Sequence, residues 1–263
     1  MTIQILVSTM HRDEFLFLDM MKLWGQVVVI NQCDQNSFEE FRANTFSANI
    51  INTTQRGISN SRNEAILHAE GDILLTADDD IVYFPNARKK IKKTFENHPE
   101  ADIIAFNVKR TNFNKKFFPK ENLRWRKAPK NRYYSSVSIA YRKSVLRKAN
   151  LHFHPNFGAG SKYLSGEESL LLRDARRRGV KIYESPEYIA TVDCSTSTWF
   201  DGYTKRFFFD KGAWLKAAYP KTYMIIKYYF LKKSKGSSMS RKAIIAALNA
   251  GIKAFDKDLE YGE

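Results

Sequence analysis

Residues 57–83, GISNSRNEAILHAEGDILLTADDDIVY, decide the fold. The stretch reads as a loop, a helix, a turn, a buried strand and three consecutive acids. Ser59 or Asn60 is placed to cap a helix from Ser61 to Ala69, because a short polar side chain accepts from the amides that a first helical turn leaves unpaired. Gly71-Asp72 breaks the helical pattern. Ile73 to Thr76 is then a short apolar run bounded by turn residues, as expected of a strand buried on both faces. Asp78, Asp79 and Asp80 fall at its carboxyl end, the edge at which open α/β sheets bind ligands.

Three adjacent acids repel one another, so they need full solvation or a cation. A solvated acidic turn is the plain alternative. The apolar strand just before them and the Arg56/Arg62 pair upstream favour a cation. Hard carboxylate oxygens suit Mg²⁺ or Mn²⁺, which keep several waters and bridge to phosphate oxygens. Arg62 carries the planar fork that suits a diphosphate.

Gly57-x-Ser59-x-Ser61-Arg62-Asn63 followed by Asp78-Asp79-Asp80 resembles the donor site of the family-two glycosyltransferases. Several separated motifs between Ile3 and Trp214 recur in that family's order. The resemblance implies a GT-A fold, a three-layer α/β/α sandwich around a mixed, mostly parallel sheet. We expect this catalytic domain over residues 1–218 and a basic helical extension over 219–263. The resemblance further implies that Asp80 and Asp78 hold Mn²⁺ or Mg²⁺, with Asp79, Gly57, Ser59 and Arg62 around a nucleotide-sugar donor, a UDP-sugar by expectation.

The rest of the chain bounds this reading. A length of 263 residues with 43% hydrophobic content allows one sizeable core. Cys33 and Cys194 are far apart, which argues against a disulfide framework and fits a reducing cytoplasm. The start shows no basic leader, and no stretch has the length of a membrane span. A net charge of +15 calls for an acidic partner: nucleic acid, anionic lipid or a phosphorylated substrate.

Ile3 to Ser8 reads as the first strand, so Ser8, Thr9, Met10 and Arg12 form a base-and-ribose loop at its carboxyl end. Helical spacing marks Phe15 to Leu23. Val27 to Ile30 is the next strand, with Asn31 and Gln32 at its end. Relatives in the family usually place there an acid that reads uracil. Gln32 can pair with an imide edge because an amide both donates and accepts, and Asp34 is the nearest acid. Phe38 to Phe46 reads as a short amphipathic helix and Asn49 to Asn52 as a strand. Asn86 to Phe95 reads as a basic helix, Ala101 to Val108 as a strand, Tyr134 to Tyr141 as another, and Arg142 to Ala149 as a helix.

From Lys109 to Arg132 ten basic residues face the single acid Glu121, interleaved with Phe113, Phe117, Phe118 and Trp125. Such a mix binds single-stranded nucleic acid, lies on an anionic bilayer, or covers a phosphorylated substrate. With no nucleic-acid signature elsewhere, we expect a membrane surface or an acidic acceptor.

Phe157 to Gly160 is a Gly-rich bend, with Gly160 expected at the acceptor. Glu167 and Glu168 follow, ahead of a basic-faced helix that Gly179 ends. The helix dipole alone favours acids at this place. Transfer to a hydroxyl also needs a carboxylate to take its proton. The family carries a Glu-Asp pair here whose second acid is usually the base, so the resemblance assigns that part to Glu168, with Glu167 as second choice. Lys181 to Ile189 reads as the last core strand. Asp193 stands where many relatives keep a histidine. Ser197-Thr198-Trp199-Phe200 resembles a loop of bacterial polysaccharide transferases, and Trp199 offers a face for an acceptor sugar. Lys205, Arg206 and Lys211 are placed to screen a diphosphate.

In the tail, Ile244, Leu248, Ile252 and Phe255 share one face of an amphipathic helix from Arg241 to Phe255. That face suits an anionic membrane, a homodimer contact or packing on the main domain. Together these readings describe an inverting, capsule-type glycosyltransferase at the inner face of the plasma membrane, acting on a glycan or lipid-linked acceptor, with no nucleic acid. A sugar nucleotidyltransferase is one rival, but residues 8–12 lack its glycine-rich phosphate loop. A basic nucleic-acid-binding module is the other.

Overall fold

The computed structural model describes residues 1–112, 122–130, 132–195, 202–233 and 237–262, without the side chains of residues 229, 230, 232 and 233. Strand β1 (Ile3–Met10) leads through the short α1 (Phe17–Met20) to β2 (Gly25–Gln32). A hairpin of β3 (Ser37–Arg42) and β4 (Phe46–Thr53) precedes α2 (Ile58–His68) and β5 (Ile73–Asp78). Then come β6 (Ile81–Tyr83), α3 (Ala87–Asn97) and β7 (Ile103–Thr111). The short β8 (Arg126–Lys127) and a 3-10 turn at Ser136–Ser138 lead into β9 (Ile139–Arg142) and α4 (Lys143–Lys148). Helix α5 (Glu167–Arg177) and β10 (Ile182–Asp193) complete the sheet, and α6 (Lys205–Ala218), α7 (Tyr223–Lys233) and α8 (Arg241–Lys257) follow.

The sheet runs β3-β4-β2-β1-β5-β9-β7-β10-β6, with β8 on β10. Strands β4, β2, β1 and β5 are parallel neighbours, and β9 lies antiparallel between β5 and β7. Parallel strands covered on both faces carry nearly continuous apolar runs. Ile5, Val7, Val27 and Leu75 accordingly face one core with Ile91 and Phe95 of α3. Leu6, Val28 and Leu74 face the other with Ala65 of α2 and Leu171 and Leu172 of α5. Three layers result, as expected of a GT-A fold.

Several local expectations give way to tertiary context. Ser37–Arg42 is a strand, not part of a helix over Phe38 to Phe46. It pairs antiparallel with the otherwise open edge of β4, and Phe41 stacks on Phe46 at 5.9 Å. Edge pairing decides a segment whose side chains are mostly exposed. The helix expected over Phe15 to Leu23 shrinks to Phe17–Met20, because the chain turns at Lys22 with φ of 55°. Most of the strand expected over Tyr134 to Tyr141 is the 3-10 turn and its approach, leaving only Ile139–Arg142 in the sheet.

For the tail helix, packing on the main domain is the one of the three expected coverings that the structure shows. Ile244, Leu248 and Ile252 are buried, and the first two pack with Phe208 and Leu215 of α6. A Cβ on Gly212 would lie 2.1 Å from the Leu248 carbonyl oxygen, and one on Gly251 1.8 Å from that of Phe209. Only glycine permits this backbone-to-backbone crossing, so the apolar face of α8 is taken by α6. No helix among the described residues is long and apolar enough to cross a membrane.

Candidate active site

Gly57 takes φ of 98°, which starts α2 at Ile58, a few residues ahead of the expected Ser61. No side chain caps it; Ile58 N–H instead donates to Ala159 O at 2.9 Å. Ser59 is fully buried inside the helix and donates to Phe157 O at 2.6 Å, latching the Gly-rich bend to α2. One turn on, Arg62 is 3% exposed and points across the end of β5.

Arg62 Nη2 donates to Asp78 Oδ1 at 3.0 Å and to Ser136 Oγ at 2.7 Å, while Nη1 donates to Glu167 Oε1 at 3.0 Å. Glu168 Oε1 lies 3.8 Å from Nη1. Where the sequence suggests a diphosphate on this fork, the structure puts two carboxylates and a hydroxyl. Burial alone would lower the guanidinium pKa, but Asp78, Glu167 and Glu168 outweigh it, so Arg62 stays charged.

The two glutamates occupy the first turn of α5, both buried. Glu167 Oε2 accepts from Gly166 N–H at 3.0 Å, and Glu168 Oε1 from Ser136 N–H at 3.4 Å. Burial, then the adjacent Glu167, pushes the Glu168 carboxyl well above the usual range, with Arg62 pulling back. Such a displaced carboxyl is what a general base near neutral pH requires. Lys211 of α6 also bears on the pair: burial lowers its ammonium against the opposing pull of Asp210, Glu167 and Glu168. Arg206 instead pairs with Asp210 at 3.0 Å.

On the other side of Asp78 the loop after β1 closes on the acids. Thr9 Oγ1 donates to Asp79 Oδ2 at 2.6 Å, and Arg12 Nη2 donates to the same oxygen at 2.9 Å. Ser8 lies beneath, accepting from Ser61 Oγ at 2.8 Å, whereas Met10 is 45% exposed. Asn31 fixes the loop by accepting from Arg12 N–H at 3.1 Å and donating to Arg12 O at 2.8 Å. Gln32 is buried, and its Oε1 has no hydrogen-bond partner among the described residues. Asp34 pairs with Arg56 instead. Gly160 sits on the bend against Gly57, with φ of 72°. Trp199 lies outside the described residues.

Asp80 keeps its side chain in the open cleft. Partial desolvation, then Asp78 and Asp79, pushes its carboxyl up to about 6, with Asp193 adding to the same field. Among the described residues no three His, Cys, Asp or Glu side chains gather closely enough to hold an ion. A Mg²⁺ or Mn²⁺ that shares phosphate and water ligands needs only one or two carboxylates. Asp78 and Asp80 fit that requirement, because Asp80 has no ion-pair partner among the described residues.

Ser136 is the functional residue that sequence reasoning missed. It touches both Arg62 and Glu168, yet it lies in an apolar run that reads as plain strand. No local signal marks it.

This sheet, with acids ending β5 and a glutamate pair opposite, has the architecture of the GT-A fold. The model for glycosyl transferase family 2 matches residues 26–152. The chain is similar in fold to residues 1–349 of TarS from S. aureus in complex with UDP-GlcNAc, with a TM-score of 0.67, 16% identity, and coverage of 97% of this chain and 82% of that one. It is also similar to the mannosyltransferase PcManGT from Pyrobaculum calidifontis in complex with GDP-Man and Mn²⁺, with a TM-score of 0.54, 13% identity, and coverage of 98% and 88%. The comparison with curated proteins gave no match.

Proposed function

We propose that the protein transfers a sugar from a nucleotide diphosphate-sugar, a UDP-sugar, to a hydroxyl of a polysaccharide or lipid-linked acceptor, with inversion at the anomeric carbon. The observation that carries this reading is the Arg62 bridge, which brings the acids ending β5 and the α5 glutamates around one cleft. The TarS complexes with UDP-GlcNAc and UDP support a uridine donor, and the net charge of +15 supports an acidic acceptor or anionic surface.

Glu168 takes the proton of the acceptor hydroxyl as that oxygen attacks the anomeric carbon. Glu167 holds Arg62 and raises the basicity of Glu168. Thr9, Arg12 and Asn31 shape the nucleotide loop, and the unpartnered Gln32 Oε1 accepts from the base. Asp80 and Asp78 would hold Mn²⁺ or Mg²⁺, which when bound offsets charge on the departing diphosphate. Arg62 acts as a positioning residue, and Lys211 adds positive charge beside the glutamates.

The test is a thermal-shift screen of nucleotide sugars with and without Mn²⁺, since a ligand of the folded state raises its melting point. A UDP-sugar should stabilise the wild type and Glu168→Gln alike, while transfer is lost only in the variant. Normal turnover by Glu168→Gln would remove Glu168 from its role.

A further inference from the structure

A cavity of about 490 Å³ lies between α3 and the irregular middle of β10, outside the site described above. Lys89, Lys90 and Lys93 line one side, and Trp125, Pro186 and Glu187 the other. A basic helix face ordinarily turns its ammonium groups to water or to acids. Here the acids nearby are already taken: Glu187 pairs with Lys90 at 2.8 Å and Glu96 with Lys92 at 3.7 Å. Lys89 and Lys93 stand four residues apart, have no carboxylate partner among the described residues, and line the same cavity. Like charges at this helical spacing repel, and an anion between them relieves that repulsion.

The remaining lining narrows the anion. Trp125 stacks on His98, at 3.5 Å between ring centroids, and on Tyr183, at 5.0 Å, so its indole is held rigid where it lines the cavity. The Asn86 and Asn97 amides add neutral donors and acceptors, and the Thr94 hydroxyl, which donates to Lys90 O, adds an acceptor. Ammonium groups beside neutral amides suit a hydroxyl-rich molecule bearing negative groups better than a bare ion.

Strand β10 joins this cavity to the active site. Glu187 and Asp193 lie six residues apart on it, on the order of 20 Å at a strand's rise per residue. Asp193 bears on Asp80. One sugar unit cannot occupy both places. We propose that the cavity binds an anionic glycan, a part of the acceptor remote from the hydroxyl that reacts. This rests on the glycosyl-transfer reading above.

The test titrates a heparin-derived hexasaccharide, uncharged maltohexaose and tripolyphosphate into the full chain, with UDP plus Mn²⁺ thermal shifts in parallel. Three proteins are compared: wild type, Lys89→Glu/Lys93→Glu, and the charge-matched Lys253→Glu/Lys257→Glu on the exposed side of α8. The hexasaccharide should bind the wild type and the α8 variant equally, and the α3 variant at least tenfold more weakly. Maltohexaose should not bind, and the UDP shift should be the same in all three proteins. Equal loss in both variants, or no loss in the α3 variant, overturns the site. Tripolyphosphate that matches the hexasaccharide overturns the glycan class. Absence of a UDP shift in the wild type would count against the transferase reading, while the hexasaccharide result still decides the cavity.

Discussion

Arg62 Nη1 stands 3.0 Å from Glu167 Oε1, joining residues 105 positions apart in the chain. Through its other terminal nitrogen the same guanidinium holds Asp78. The donor-side acids and the candidate base are thus positioned by one buried cation, so its removal strands two carboxylates at once.

Arg62→Met should therefore cost about 3–5 kcal/mol in chemical denaturation, the usual penalty for leaving a buried charge unpaired. Arg62→Lys keeps a charge but loses the fork, and should recover only part of that loss. Arg62 also pulls the Glu168 carboxyl down, so whichever variant folds should have its pH–rate profile moved toward higher pH. An unshifted profile would detach Arg62 from the base.

Glu167→Gln should act in the opposite direction on Glu168. Burial and the Glu167 charge both raise that carboxyl, so removing the charge lowers it, and transfer should begin at lower pH. The sign for stability follows from linkage. A carboxyl raised in the folded state contributes stability below its ordinary value of about 4.3, which is lost as pH rises through the folded value. Wild-type unfolding free energy should fall across that window and Glu168→Gln should flatten the fall, as read from urea titrations at several pH values.

Asp80→Asn should abolish the Mn²⁺-dependent heat of nucleotide binding in calorimetry. It also relieves repulsion within the Asp78, Asp79 and Asp80 group, so the metal-free protein should melt no lower than wild type at neutral pH. Unchanged nucleotide-plus-Mn²⁺ heats would count against the assignment.

Gly251→Ala places a methyl group against Phe209 O. It should cost at least ~1–3 kcal/mol, the range for an overpacked interior, and lower the melting temperature by several degrees. If α8 is displaced rather than strained, the buried Ile244, Leu248 and Ile252 become exposed, and binding of an apolar dye should rise. Neither change occurring would mean that α8 is not tied to α6.

The sequence by itself determined the centre of this protein. The apolar run of β5, the glycine turn before it and the acids after it are local signals, because a strand buried on both faces needs continuous apolar residues and a ligand-bearing edge follows where they stop. The same holds for α5 with its acidic first turn. Only the tertiary structure decided which partner each of these groups takes. Arg62 turned to carboxylates because folding brought Glu167 within reach, a contact no spacing encodes. Ser136 became an anchor because folding set its hydroxyl against Arg62 and its backbone amide against Glu168, both distant in the chain. The segment 37–42 became a strand because β4 had an open edge. The apolar face of α8 faces protein because α6 offers it a glycine crossing. Periodicity says that a face must be covered; what covers it depends on residues far away in the chain, where burial and steric fit are settled.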